Sequence, residues 1–182
     1  MKPPASGSNI RVGPTTGEIA MTSMFVEVRA LHILVAAAWF GAAAFLTIFL
    51  MPALGRLEPK GGAVLQALEG RGFHRFMAAN AGLTILSGAW LYWILTAGFQ
   101  PQAIASTAGL VYGVGGLAGL LAAIIGGAVI GRSVKRLAAL SANDASAAET
   151  AALLQRRIRS GSRSALGLML LALLAMTLGH AL

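Results

Sequence analysis

The feature that most constrains this chain is the apolar run VEVRALHILVAAAWFGAAAFLTIFL, residues 26–50, which suits lipid yet carries a histidine. About 20 apolar residues at ~1.5 Å each cross the ~30 Å hydrocarbon core, so the run predicts a membrane-spanning helix. An ionisable side chain in such a span is expensive unless it has a partner, which makes His32 a candidate functional residue at once. Trp39, one heptad further on, is the second residue to stand out.

Composition generalises the membrane reading. The chain has 182 residues, enough for one domain; 57% are hydrophobic and the mean hydropathy is +0.75. Charged residues make up only 11%, against about 25% in soluble domains. The formal net charge of +8 does not point to nucleic acid, because the basic residues lie between apolar runs without interleaved aromatics. Their position beside the spans suits a topological role and contact with anionic lipid. The chain contains no cysteine, which excludes disulfides, thiolate metal sites and cysteine nucleophiles.

Four spans are expected, at about residues 25–50, 76–95, 107–130 and 165–182, forming an all-α, transmembrane four-helix up-down bundle. Residues 1–23, rich in Pro, Gly, Ser and Thr, are expected to be a disordered tail, and residues 24–182 the membrane domain. Between the first two spans, AVLQALE predicts a short interfacial helix with Val64, Leu65 and Leu68 inward. The second span closes in Trp90, Tyr92 and Trp93, an aromatic belt, and carries a polar seam of Asn80, Thr84 and Ser87. The third is the most glycine-rich; Gly109, Gly113, Gly116, Ala123 and Gly127 fall near one face, which suits tight packing within the bundle or a homodimer. It continues as SVKRLAALSA, and Ser146 with Glu149 reads as a capping box for the next helix. A helical hairpin outside the membrane is therefore expected between spans three and four.

Charge sets the orientation. Lys2, Arg11 and Arg29 lie on one side. Arg56, Lys60, Arg71, Arg75, Arg132, Lys135, Arg136, Arg156, Arg157, Arg159 and Arg163 lie on the other. The positive-inside rule puts the larger group in the cytoplasm and both termini outside it, as in a multi-pass protein of a bacterial-type inner membrane. His32 and His180 then share the outer leaflet, on helices that are neighbours in an up-down bundle, whereas His74 falls at the cytoplasmic interface.

Two chemistries and their plain alternatives follow. Met176 and His180 are four apart on one helix face, and thioether with imidazole suits copper, Cu(I) above all. His32, His180 and Met176 are thus candidate metal ligands; as plain structure, the methionine is a core filler and His180 a solvated residue. His32 and His180 alternatively supply the axial pair for a haem b, with Trp39 as a wall of its cavity or simply a packing residue. The third reading is a metal-free structural or transport protein. No carboxylate lies deep in a span, and no phosphate loop or hydrolytic triad is present, so proton relays on Asp or Glu, phosphoryl transfer and hydrolysis are disfavoured. No catalytic residue is expected.

Leu31-His32, Trp39-Phe40-Gly41 and Pro52-Ala53-Leu54 give residues 30–54 a pattern that resembles the first helix of the copper-resistance D (CopD-like) membrane proteins. The Ser87-Gly88 pair in the arginine-flanked second span and the basic hairpin before the last span are similar too. The resemblance implies an inner-membrane protein of copper uptake or handling, with His32 the matching histidine. The third span lacks a histidine that such relatives can carry. A histidine-led first span also resembles the small membrane protoporphyrinogen oxidases, but their lysine in a later helix has no counterpart within a span here.

Overall fold

The computed structural model describes residues 16–57, 61–140 and 147–179, and its described residues are helical with no strand among them. Helix α1 (Thr16–Phe45) widens into a π turn at Leu46–Leu50 and ends as α2 (Met51–Gly55). The short α3 (Gly61–Gly70) leads into α4 (Phe73–Leu95). After α5 (Pro101–Ile104), α6 (Thr107–Ile124) runs through a second π segment, Ile125–Gly131, into α7 (Arg132–Ala138). Finally α8 spans Ala147–Gly179. Four helical stretches are long and apolar enough to cross a membrane: Met21–Gly55, Phe73–Leu95, Thr107–Ala138 and Ala147–Gly179. The expected all-α four-helix bundle is the observed architecture.

Local chemistry explains the breaks. Pro52 has no N–H, and its ring would strike the carbonyl of Ile48 in a regular α-helix. The chain answers with the π turn just before it, where the Met51 N–H reaches back to the Leu46 carbonyl. The second π segment has no proline but holds Gly126, Gly127 and Gly131, whose freedom lowers the cost of unwinding. Gly72 enters α4 with φ of 79°, a left-handed conformation that suits glycine. Ser106 caps α6 by accepting from the Gly109 N–H at 3.1 Å.

The helix bounds refine the expectations. Helix α1 begins at Thr16, within the segment expected to be tail, since no proline follows Pro14 until Pro52. In α3 the inward residues are Leu65 and Leu68, while Val64 is exposed. The hairpin of α7 and α8 is present, with Glu149 in the first turn of α8; Ser146, its expected cap, lies outside the described residues.

Packing follows membrane logic. Helix α1 lies along α4, and α6 along α8, with α4 against α6 and α1 touching α8. Large apolar side chains face outward, among them Leu34 at 69%, Leu86 at 71% and Leu178 at 62% exposed. The buried positions instead favour small residues, including Gly115, Ala118, Ala122, Gly161 and Ala165. Lipid offers no hydrophobic gain between helices, so close backbone approach does the joining. The third-span glycines divide by neighbour. A Cβ on Gly113 would lie 3.0 Å from the Tyr92 hydroxyl, and one on Gly115 3.0 Å from Ala175 Cβ. Gly109 is closed off by the Ala103 carbonyl, whereas Gly116 and Gly127 have open space where a Cβ would be.

Candidate functional site

On α1 the residues of reduced exposure include Phe25, Val28, His32, Val35 and Trp39, with Ala36 and Phe40 beside them. The alternating three- and four-residue spacing of the first five is the inner seam of a left-handed helix pair. His32 and Trp39 therefore occupy equivalent positions, about 10.5 Å apart along the axis, yet they meet different surroundings.

His32 is half-buried against α4, where its Nδ1 shares a hydrogen bond of 3.0 Å with Ser87 Oγ. Ser87 is itself buried, and its hydroxyl donates to the Leu83 carbonyl at 2.6 Å, with the Thr84 carbonyl at 3.2 Å. The next residue makes room for the ring: a Cβ on Gly88 would sit 2.9 Å from His32 Cε1. The imidazole thus rests on a Ser-Gly step of α4, with its Nδ1 on the serine. The rest of the polar seam is satisfied within its own helix. Thr84 Oγ1 donates to the Asn80 carbonyl at 2.7 Å, and Asn80 Nδ2 to the Phe76 carbonyl at 2.8 Å. Ser87 is the seam residue that reaches across to α1.

The site lies within the helices and not at their ends. Ser87 precedes the Leu95 end of α4 by eight residues, about 12 Å of helix, and Trp90, Tyr92 and Trp93 lie between. Beyond that belt, Thr96 is fully buried and ties the turn together: it donates to the Tyr92 carbonyl at 2.8 Å and accepts from the Phe99 N–H at 3.2 Å. Tyr92 in turn donates to the Gly109 carbonyl at 3.2 Å, which clamps α4 to α6.

Trp39 is 7% exposed and packs in one cluster with Ala122, Ala165 and Met169; Met77, Ala81 and Ala123 pack against it. All four spans meet at this layer.

The structure separates the other candidates. Met176 lies seven residues past Met169, and because α8 runs antiparallel to α1 it stands near the level of His32. Its methyl, however, approaches the third span, 3.3 Å from where a Gly115 Cβ would be. His180 lies outside the described residues. His74, the second residue of α4, is at the opposite end of the bundle, where its Cε1 is 3.9 Å from a Cβ built on Gly131. Among the described residues no group of three or more His, Cys, Asp or Glu is placed to hold a metal ion.

The sequence already carried the Ser87-Gly88 step, but not its use. Periodicity marks Ser87 as inward, whereas the register of α1 on α4 decides that His32 lies opposite it. No protein-family model, curated protein or solved structure matches this chain.

Proposed function

We propose that this chain handles copper as cargo in a membrane, with His32 as the fixed ligand at the end of the bundle marked by Trp90, Tyr92 and Trp93. The observation that carries the reading is the hydrogen bond between His32 Nδ1 and Ser87. Histidines that ligate metals usually spend one ring nitrogen on a hydrogen bond that fixes the ring, and offer the other to the metal. A single imidazole holds an ion weakly, which suits passage better than storage. Met176, near the end of α8, is a soft donor at the same end once its methyl turns from Gly115, and His180 is the imidazole that the sequence offers four residues later. The resemblance of residues 30–54 to the CopD-like first helix agrees with this reading. The charge count places that end outside the cytoplasm.

The energetics favour function over architecture for His32. Polar contacts between membrane helices average about 0.6 kcal/mol, less than the cost of an ionisable group at membrane depth. A leucine would serve the seam equally well. Retaining histidine there needs a reason other than stability.

A haem b held by His32 and His180 is the second reading. It rests on imidazole being a haem ligand and on the place of both histidines toward the same end of the spans in the sequence. Titration of the purified protein with Cu(I), together with its visible absorption spectrum, separates the two. Copper binding that is lost in His32→Ala supports the cargo reading. A Soret band lost in the same variant supports haem. Neither signal in metal- and haem-replete protein overturns both and leaves a structural or transport protein. Because the chain has no cysteine, single introduced cysteines at Gln102 and Arg136, both exposed, report the orientation cleanly.

A further inference from the structure

We infer that Ser87 is a positioning residue that fixes His32 as the Nδ1–H tautomer, so that Nε2 carries the free lone pair. The inference deepens the proposed His32 site and rests on it for its functional meaning, but its geometry stands alone.

The argument is a count of protons. A serine hydroxyl has one hydrogen and two acceptor lone pairs. At 2.6 Å from the Leu83 carbonyl, the Ser87 hydroxyl commits its hydrogen to that oxygen, since a carbonyl can only accept. The contact of 3.0 Å between Ser87 Oγ and His32 Nδ1 then has one possible donor, the ring N–H. In neutral imidazole one nitrogen bears the proton and the other the lone pair, and the hydrogen bond made by one decides the state of the other. With Nδ1 protonated, Nε2 is the acceptor or ligand atom. The helix backbone therefore acts on the imidazole through the serine. The Leu83 carbonyl orients the hydroxyl, and the hydroxyl, accepting from Nδ1–H, orients the ring and favours the tautomer that carries its proton there.

Gly88 completes the seat. With a Cβ at 2.9 Å from Cε1, any larger residue would push the ring off the serine. The pair thus divides the work: Ser87 selects the tautomer and Gly88 admits the ring at hydrogen-bonding distance.

The test is side-chain nitrogen NMR on full-length protein labelled with 15N-histidine in membrane mimetic. The His32 signals are assigned by their loss in His32→Leu. Wild-type protein is expected to show Nδ1 protonated and Nε2 bare. Ser87→Ala should lose this state and gain Nε2–H, the form free histidine prefers in water. Ser87→Thr, which keeps a hydroxyl able to bond the same carbonyl, should restore it. Nε2–H in the wild type, or unchanged Nδ1–H in Ser87→Ala with native helicity, overturns the inference. Cu(I) titration of the same samples gives the second arm. Ser87→Ala should weaken binding 10–100-fold, the usual effect of losing a partner behind a ligating histidine, and Ser87→Thr should recover it. If the tautomer responds as expected but wild-type protein binds no copper, Ser87's role stands and the copper reading falls.

Discussion

Two layers of the bundle, one heptad apart on the same helix face, solve different problems. At the Trp39 layer the four spans converge on one large ring surrounded by Ala122, Ala165 and Met169. At the His32 layer the defined contact is between two helices, a ring held on Ser87 and Gly88 of α4. The first contact is apolar, central and filled. The second is polar, half-buried and anchored on a serine. In lipid, the filled layer supplies association through close packing, while a hydrogen bond between helices adds little. The comparison gives Trp39 the packing of all four spans and His32 a polar contact with α4.

The sharpest way to break this division is to truncate each layer in turn. Trp39→Ala should cost about 3–5 kcal/mol, as large-to-small changes of buried aromatics do, read as a lowered midpoint of unfolding in detergent. His32→Leu should leave that midpoint within about 1 kcal/mol of wild type and, on the proposed function, remove Cu(I) binding. If His32→Leu unfolds the bundle as Trp39→Ala does, the division is wrong. Glycines of α4 offer the next test. Gly88→Ala should destabilise by about 1–3 kcal/mol through overpacking and displace the His32 ring. Gly82→Ala, where a Cβ meets nothing within 4 Å, should be neutral or stabilise by up to about 1 kcal/mol from helix propensity.

The smallest effect concerns the turn beyond the belt. Ala97 and Phe99 hold φ of 49° and 65° on either side of Gly98 at 78°. A left-handed residue with a side chain costs about 1–2 kcal/mol, and glycine's greater freedom when unfolded returns about 0.5–1 of that. Ala97→Gly should therefore stabilise by roughly 0.5 kcal/mol, measured by the same unfolding midpoint, with copper binding unchanged. A destabilised Ala97→Gly would show that this turn contributes no strain. The turn owes its shape to Thr96, whose hydroxyl bridges the Tyr92 carbonyl and the Phe99 N–H.

Much of the fold was legible in single residues. The aromatic cluster at Trp90, Tyr92 and Trp93 and the long apolar runs each act through their own neighbours in sequence. Such local rules survive without knowledge of the partner helix. The glycines of the third span were harder to read. Spacing put Gly109, Gly113 and Gly116 on one face, but Tyr92 of α4 takes Gly113, α8 takes Gly115, and Gly116 meets open space. Helices at two angles around one axis divide a stripe that a helical wheel draws as continuous. The first π turn was implicit in Pro52, whereas the second follows no proline and had no comparable signal.

By itself the sequence determined four lipid-length helices, their basic and aromatic ends, and an ionisable residue that membrane depth makes costly, because hydropathy and charge act residue by residue. Only the tertiary structure decided what His32 faces. The register of α1 against α4 sets the imidazole on Ser87 and over Gly88, turns Met176 toward Gly115, and draws Trp39 into the layer where four helices meet. A shift of one residue along the seam would rotate the ring about 100° away from its serine. Register is a property of packed pairs, and no single helix contains it.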